Sequence, residues 1–287
     1  MVLYIMYICE KITMKNIFLI LVFVGLAAQA QTHRFIYELQ YKSDSANNHL
    51  DKINLVLDVN PKDVKFYEYD YLKADSINRV NGNYEYMYGG RFESIKRQRN
   101  SFKNQNYELI GEDMYSYPTD DQMKWNLSNE TKKVGEYTLQ KATTHFGGRF
   151  WTAWFTKDIN ISEGPYKFYG LPGMIFQLQD SGSNFIFTLI QSKNLKETYN
   201  TVGFIETFYG RKPLEISEKV RQRKRLEMYN DPLKEMRKNF KENSGGEMNV
   251  MGTKITHIDQ FKDLTTKVQE YLKKSNNPID LDRAIKY

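Results

Sequence analysis

Apolar and polar side chains alternate with period two through most of residues 34–208, the pattern of strands with one buried face. Phe35, Tyr37, Leu39 and Tyr41 stand against Arg34, Ile36, Glu38 and Gln40. After a polar break at 43–48 the pattern continues over 53–58, turns at Asn60-Pro61-Lys62-Asp63 and resumes over 64–71. Asn81-Gly82-Asn83 reads as a hairpin signal leading into a strand over 84–88. Shorter strands are expected at 107–110 and 114–117. Trp125 and Leu127 open another, residues 132–135 turn the chain into 137–144, and 150–156 follow, with 201–208 as the last strand.

The densest punctuation lies at 164–180, where Gly164-Pro165 and Pro172-Gly173 enclose an aromatic cluster. In Leu171-Pro172-Gly173-Met174, proline at the second position and glycine at the third fit a type II turn. Beyond it Met174, Phe176 and Leu178 face one way and Ile175, Gln177 and Gln179 the other. Residues 180–184 then turn into a hairpin mate at 185–190.

The period changes after Tyr209. Ser217 is placed to cap a helix running to Tyr229, and Asp231-Pro232 starts a second that ends near Asn243. Residues 243–246 form a flexible break. Phe261, Leu264, Val268, Tyr271 and Leu272 recur at helical spacing, giving a last amphipathic helix over 259–274. The fold class is therefore mainly β with C-terminal helices (α+β). A curved antiparallel sheet covered by helices is expected, as one domain over 31–287: sheet at 34–208, helices at 217–274, tail at 275–287.

The first thirty residues read as a signal peptide. Met14-Lys15-Asn16 is a basic start, with Met14 the expected true initiator, and 17–27 is an apolar run too short for the roughly 20 residues of a membrane span. Ala28-Gln29-Ala30 supplies the small residues for cleavage, so the exported chain is not expected to be an integral membrane protein. The single cysteine, Cys9, precedes the apolar run and is lost with it, which removes disulfides, cysteine–zinc sites and thiol nucleophiles. Export also makes nucleic acid an improbable partner for the net charge of +6. The charges of 217–243, Arg221 and Arg225 among them, read as solvated helix faces.

Motifs of catalysis are lacking. His33, His49, His145 and His257 stand in no metal-ligand spacing, and neither a nucleophile elbow nor a phosphate-binding glycine loop occurs, so no cofactor is expected. The richest constellation is Arg149, Trp151, Trp154, Tyr166, Lys167 and Phe168, whose aromatics and cations beside glycines are the ingredients of a ligand groove. Packing is the commoner role of such a cluster, and Trp151 and Trp154, three apart on a strand, face opposite ways. The repeat of Gly89-Gly90-Arg91-Phe92 as Gly147-Gly148-Arg149-Phe150 is short enough to be chance, with a duplicated hairpin as the alternative.

Gly170-Leu171-Pro172-Gly173-Met174-Ile175 resembles the motif that names the GLPGLI family, exported proteins found mainly in Bacteroidetes. The flanks resemble that family too: Gln140-Lys141-Ala142-Thr143, Gly148-Arg149, Ala153-Trp154-Phe155, Gly164-Pro165, Lys167-Phe168, Asp180 and the ending Asn277-Pro278-Ile279-Asp280-Leu281. Met174 replaces the usual leucine, Leu139 stands where many members have cysteine, and Tyr166 replaces a common tryptophan. The resemblance implies a periplasmic or outer-membrane-associated protein and transfers no catalytic residue. The expected function is a non-enzymatic binding or accessory role toward an envelope protein, a peptide or a lipid. A hydrolase without a recognisable motif and a subunit of an outer-membrane transport complex are the alternatives.

The leader makes a direct prediction. Protein recovered from the cell envelope should begin at Gln31, and N-terminal sequencing that found Met14 retained would refute the cleavage.

Overall fold

The computed structural model describes residues 32–82, 90–208, 210–242 and 246–287. The signal-peptide reading, the expected strand at 84–88 and most of the 243–246 break lie outside them. Among the described residues twelve strands form one sheet, in the order β12-β6-β5-β4-β3-β2-β1-β11-β10-β9-β8-β7. In chain order they are β1 (Thr32–Tyr41), β2 (Asp51–Val59), β3 (Asp63–Glu68), β4 (Ser94–Gln98), β5 (Lys103–Ile110), β6 (Asp113–Asp120), β7 (Asn126–Val134), β8 (Tyr137–Phe146), β9 (Arg149–Thr156), β10 (Met174–Asp180), β11 (Phe185–Leu195) and β12 (Leu214–Glu215). Every pairing is antiparallel except the short parallel one of β12 with β6.

Strand β1 is the seam. It pairs with β2 on one side and with β11 on the other, and so joins two meanders, β2 to β6 and β7 to β11, into one sheet. Its alternation explains the position: Phe35, Tyr37, Leu39 and Tyr41 all enter the main core beside Leu55, Leu57 and Phe187. Ile36 on the opposite face is buried as well, as is its partner Val56. A strand covered on both faces belongs in the middle of a sheet.

The strand expected over 64–71 ends at Glu68 and an unexpected helix follows, while the strand expected over 201–208 is in part helical. The chain leaves β3 at Glu68 and forms α1 (Asp70–Asn81), in which Tyr71, Ala74, Asp75 and Asn78 are buried at the spacing of one helix face. Gly82 ends that helix in the left-handed conformation, φ 68°, so it is a helix cap and not the hairpin turn expected of Asn81-Gly82-Asn83. The segment 201–208 contains a π-helical turn, Val202–Glu206. Its adjacent Phe204 and Ile205 both join a second cluster with Val56, Tyr67, Tyr71 and Tyr107. A strand would have sent that pair to opposite faces.

The helical segment arrives where expected. Helix α2 (Glu218–Asn230) is capped by Ser217, whose hydroxyl accepts from the Val220 amide at 3.4 Å; α3 (Lys234–Glu242) and α4 (Gln260–Lys274) follow. A hairpin of β13 (Met248–Val250) and β14 (Thr253–Ile255) lies between α3 and α4. The expected helical cover over the large core is not found. Leu233, Val250, Ile255, Phe261 and Leu264 make a small core of their own, and no described residue of 218–274 joins the main cluster. That cluster is filled instead by the β9–β10 connection, with Ile159, Ile161, Tyr166, Phe168 and Leu171, and by Ile279 of the tail. The sheet buries its core face against its own loop.

The Gly-Leu-Pro-Gly corner closes that loop. The Gly173 amide donates to the Leu171 carbonyl at 2.8 Å, a three-residue turn in place of the expected type II turn. Gly173 has φ 144°, and a Cβ there would stand 1.8 Å from the Thr156 carbonyl oxygen. Leu171, Met174 and Ile175 are buried, and the Tyr37 hydroxyl donates to the Ile175 carbonyl at 2.6 Å. A register shift between Ile175 and Gln177 breaks the expected strict alternation, and Ile175, expected on the face opposite Met174, Phe176 and Leu178, is buried with them. In the glycine repeat, Gly147-Gly148 turns β8 into β9, whereas the Arg91 and Phe92 amides, outside any strand, donate to Glu68.

Replacement of Gly173 by Val should cost about 3 kcal/mol or more, because a side chain in that backbone region must also push β9 away. Pro172→Ala, which mainly frees the unfolded chain, should cost below about 1 kcal/mol. Denaturant midpoints of the two variants test this, and an unchanged midpoint for Gly173→Val would remove the packing role of the corner.

Candidate functional site

Of the six residues expected to line a groove, five are buried. Trp151 is fully inside, its indole donating to the Phe146 carbonyl at 3.0 Å, and Phe168 packs edge-on against it at 4.7 Å. Trp154 faces the opposite side of β9, half-buried beneath Lys132 and Lys141 at 4.2 and 5.9 Å from its ring. The other three, Arg149, Tyr166 and Lys167, are drawn together by the C-terminal tail, which fills the expected groove.

Arg149 begins β9, just beyond the Gly147-Gly148 turn. Its guanidinium donates to the Ile279 carbonyl at 3.1 Å, to Asn277 Oδ1 at 2.6 Å, to the Pro278 carbonyl at 2.8 Å and to Asp180 at 3.1 Å. Tyr166 and Lys167 sit in the β9–β10 loop, where Tyr166 holds a left-handed φ of 56°. Such a conformation costs a residue with a side chain on the order of 1–2 kcal/mol. It accompanies the delivery of both side chains to one carboxylate: Tyr166 Oη and Lys167 Nζ donate to Asp280 Oδ2 at 3.1 and 2.6 Å. Arg283 then bridges Asp280 and Asp121 at 3.3 and 2.9 Å. The central stretch and the terminal Asn277-Pro278-Ile279-Asp280 are thus one structural unit.

The open space lies next to that unit. A cavity of about 430 Å³ is bounded by β5, β6, α2 and the tail. Tyr41, Phe92, Tyr117, Tyr166 and Phe185 give it aromatic walls, and Glu93, Glu108, Asp280, Arg221, Arg225 and Arg283 bring charge to it. Arg221 reaches down from α2 to Glu108 at 2.7 Å and Glu93 at 2.9 Å, and Arg225 pairs with the same Glu108. Arg221 and Arg225 therefore do not belong to a merely solvated helix face. No sequence signal marked these charges, because Glu108 and Arg221 meet only through the fold. Asp280 alone could have been found, from the resemblance of the terminal motif.

The charges are unevenly tuned. Burial would raise the Glu93 carboxyl, but Arg221 and Lys167 outweigh it and hold that group below its ordinary range. Burial pushes Asp280 up, against the pull of Lys167 and Arg283. Tyr117 and Tyr166 are driven well above the ordinary phenol value by burial and by nearby carboxylates, so both are neutral donors. Among the described residues no group of three or more His, Cys, Asp or Glu could hold a metal ion.

Comparison with known proteins reaches part of this chain. Residues 149–177 match the model of a family described as "Protein of unknown function (Porph_ging)". The match runs from Arg149 through the turn glycine to Gln177, so it covers the loop that fills the core and includes Lys167. No curated protein matches the chain. Among solved structures, PNGF-II in a C2 crystal form is similar, with a TM-score of 0.50 and 13% identity over 69% of this chain and 33% of that one. PNGF-II in a P21 form gives a TM-score of 0.49 at 14% identity, over 68% and 33%. The chain thus spans about a third of the length of those structures, and at such identity the C2 likeness is one of fold. The C2 structure shares the mostly β character, and the large antiparallel sheet of the described residues here is open rather than a closed barrel. Among the described residues no helix is long and apolar enough to cross a membrane.

Two carboxylates should respond to pH in opposite senses. Glu93 has a lowered folded pKa, so its contribution is present above the ordinary 4.5 and is lost as pH falls through the folded value. The stability advantage of the wild type over Glu93→Gln should therefore be full near about pH 7 and shrink toward about pH 3. Glu163, buried against Arg97, has a raised folded pKa, since desolvation outweighs the arginine. Its contribution is present below 4.5 and lost as pH rises, so the wild type should lose ground against Glu163→Gln over the same range. Thermal melts across pH test the pair, and parallel slopes would refute the assignment.

Proposed function

We propose that the chain is an exported cell-envelope protein of the GLPGLI type that binds a small ligand in the cavity between the sheet and α2, without turning it over. The single observation that carries this is the cavity itself, about 430 Å³ with aromatic walls and a few polar groups. Its size and lining are those of small-molecule sites. The family-type motif does not compete for the role, because Leu171, Met174 and Ile175 are packing residues. In this reading the helical segment serves as the cover of the ligand space, not of the main core.

A second reading has one observation in its favour. Glu93 and Asp280 face the same cavity and are pushed in opposite directions, the condition that separates a base from an acid in hydrolases. Against it, Asp280 is committed to Tyr166, Lys167 and Arg283 and works as the anchor of the tail.

Native mass spectrometry of the protein isolated from envelope distinguishes the readings. A bound species is expected on the wild type and lost from Ala284→Trp, which fills the cavity wall. Absence from both proteins would sink the binding reading. Hydrolysis of that species by the wild type but not by Glu93→Gln would replace it with the enzymatic one.

A further inference from the structure

The charges of the cavity are not equally available to what enters it. The carboxylates are the more recessed: Glu108 has 4% of its side chain exposed, Asp280 8% and Glu93, held by Arg221, 16%. The guanidiniums of Arg225 and Arg283 keep 27% and 29%. Each carboxylate is already engaged by a cation behind or beside it, Glu108 by both Arg221 and Arg225, Asp280 by Lys167 and Arg283. What the cavity offers a ligand is guanidinium N–H groups and neutral tyrosine hydroxyls over aromatic walls. Burial also pulls Arg225 below its ordinary value.

Resting on the binding reading above, we infer that the ligand is an anionic amphiphile: a carboxylate, sulfonate or phosphate group read by Arg225 and Arg283, joined to an apolar or aromatic body that fills the space between Tyr41, Phe92 and Phe185. A guanidinium is the suited reader because its planar fork donates two parallel hydrogen bonds to such a group. A cationic head would meet the two arginines first and reach the carboxylates only by displacing them.

The test uses two fluorescent probes that differ only in the anion, 8-anilinonaphthalene-1-sulfonate and the uncharged N-phenyl-1-naphthylamine, titrated into protein purified from the envelope. The sulfonate should bind about tenfold more tightly or better, the range for one charge-assisted hydrogen bond. Arg225→Gln should remove most of that preference and leave the neutral probe unchanged, while Arg225→Lys should retain part of it. Arg283→Gln provides the same readout should Arg225→Gln fail to fold. Equal binding of both probes, with Ala284→Trp abolishing both, would overturn the anion inference and leave the cavity reading standing. Binding of neither probe, or binding insensitive to Ala284→Trp, would overturn the cavity reading and this inference with it.

Discussion

The concave side of the molecule depends on one buried ion pair. Lys167 and Asp280 meet at 2.6 Å with almost nothing of either side chain exposed. A lone charge in such a place is prohibitively costly, and removing one partner of a buried pair typically costs about 3–5 kcal/mol. Replacing both by apolar groups is often near neutral, so what such a pair supplies is position more than net stability. Here the position is that of the tail. Once Asp280 is held by Lys167, Arg149 satisfies the carbonyls of Pro278 and Ile279, and Leu281 donates to Gly147 at 2.7 Å. The turn has no room to spare, since a Cβ on Gly147 would stand 3.0 Å from the Asp280 Cα. Residues more than a hundred positions apart become one wall.

A second constraint follows from how the sheet closes its core. A large curved sheet must bury its inner face against something. In this chain the β9–β10 loop does so, entered at Gly164, where a Cβ would meet the Phe168 carbonyl at 2.8 Å, and left at Gly173. The helical segment is thereby released from that duty. It needs only its own small cluster around Phe261, and its link to the sheet runs through Arg221 and Arg225. Space between a sheet and a helix joined by charges can stay open, and this is where the cavity lies.

The π-helical turn at Val202–Glu206 plays the matching part on the other face. It buries Phe204 against Tyr67 and Tyr71, and Glu206 reaches Lys65 and Lys96, each at 3.1 Å. Burial alone would raise the Glu206 carboxyl, but the two lysines and Thr201 hold it below its usual range. Strand β3 is covered on both faces as a result.

Period-two alternation was legible where one face of a strand is more buried than the other, as in β9. It failed where both faces are covered or the chain coils briefly. The 201–208 segment carries aromatic and β-branched residues, and only tertiary burial made part of it a helical turn; the helix at Asp70–Asn81 was not expected at all. Helices α2 and α4 were legible from Ser217 and from the spacing of Phe261, Leu264 and Val268, because caps and periodicity are local. The glycine at 173 was legible as indispensable, though not for the reason that holds: contact with Thr156 is non-local, and turn rules see only neighbours. The candidate groove was misread for the same cause. Arg149, Tyr166 and Lys167 look available as a sequence, and only the arrival of Asp280 from the far end of the chain occupies them. Local pattern specified the elements; the meeting of distant charges decided which side chains are structure and which line the open cavity, since charge pairing acts through space and leaves no period in the chain.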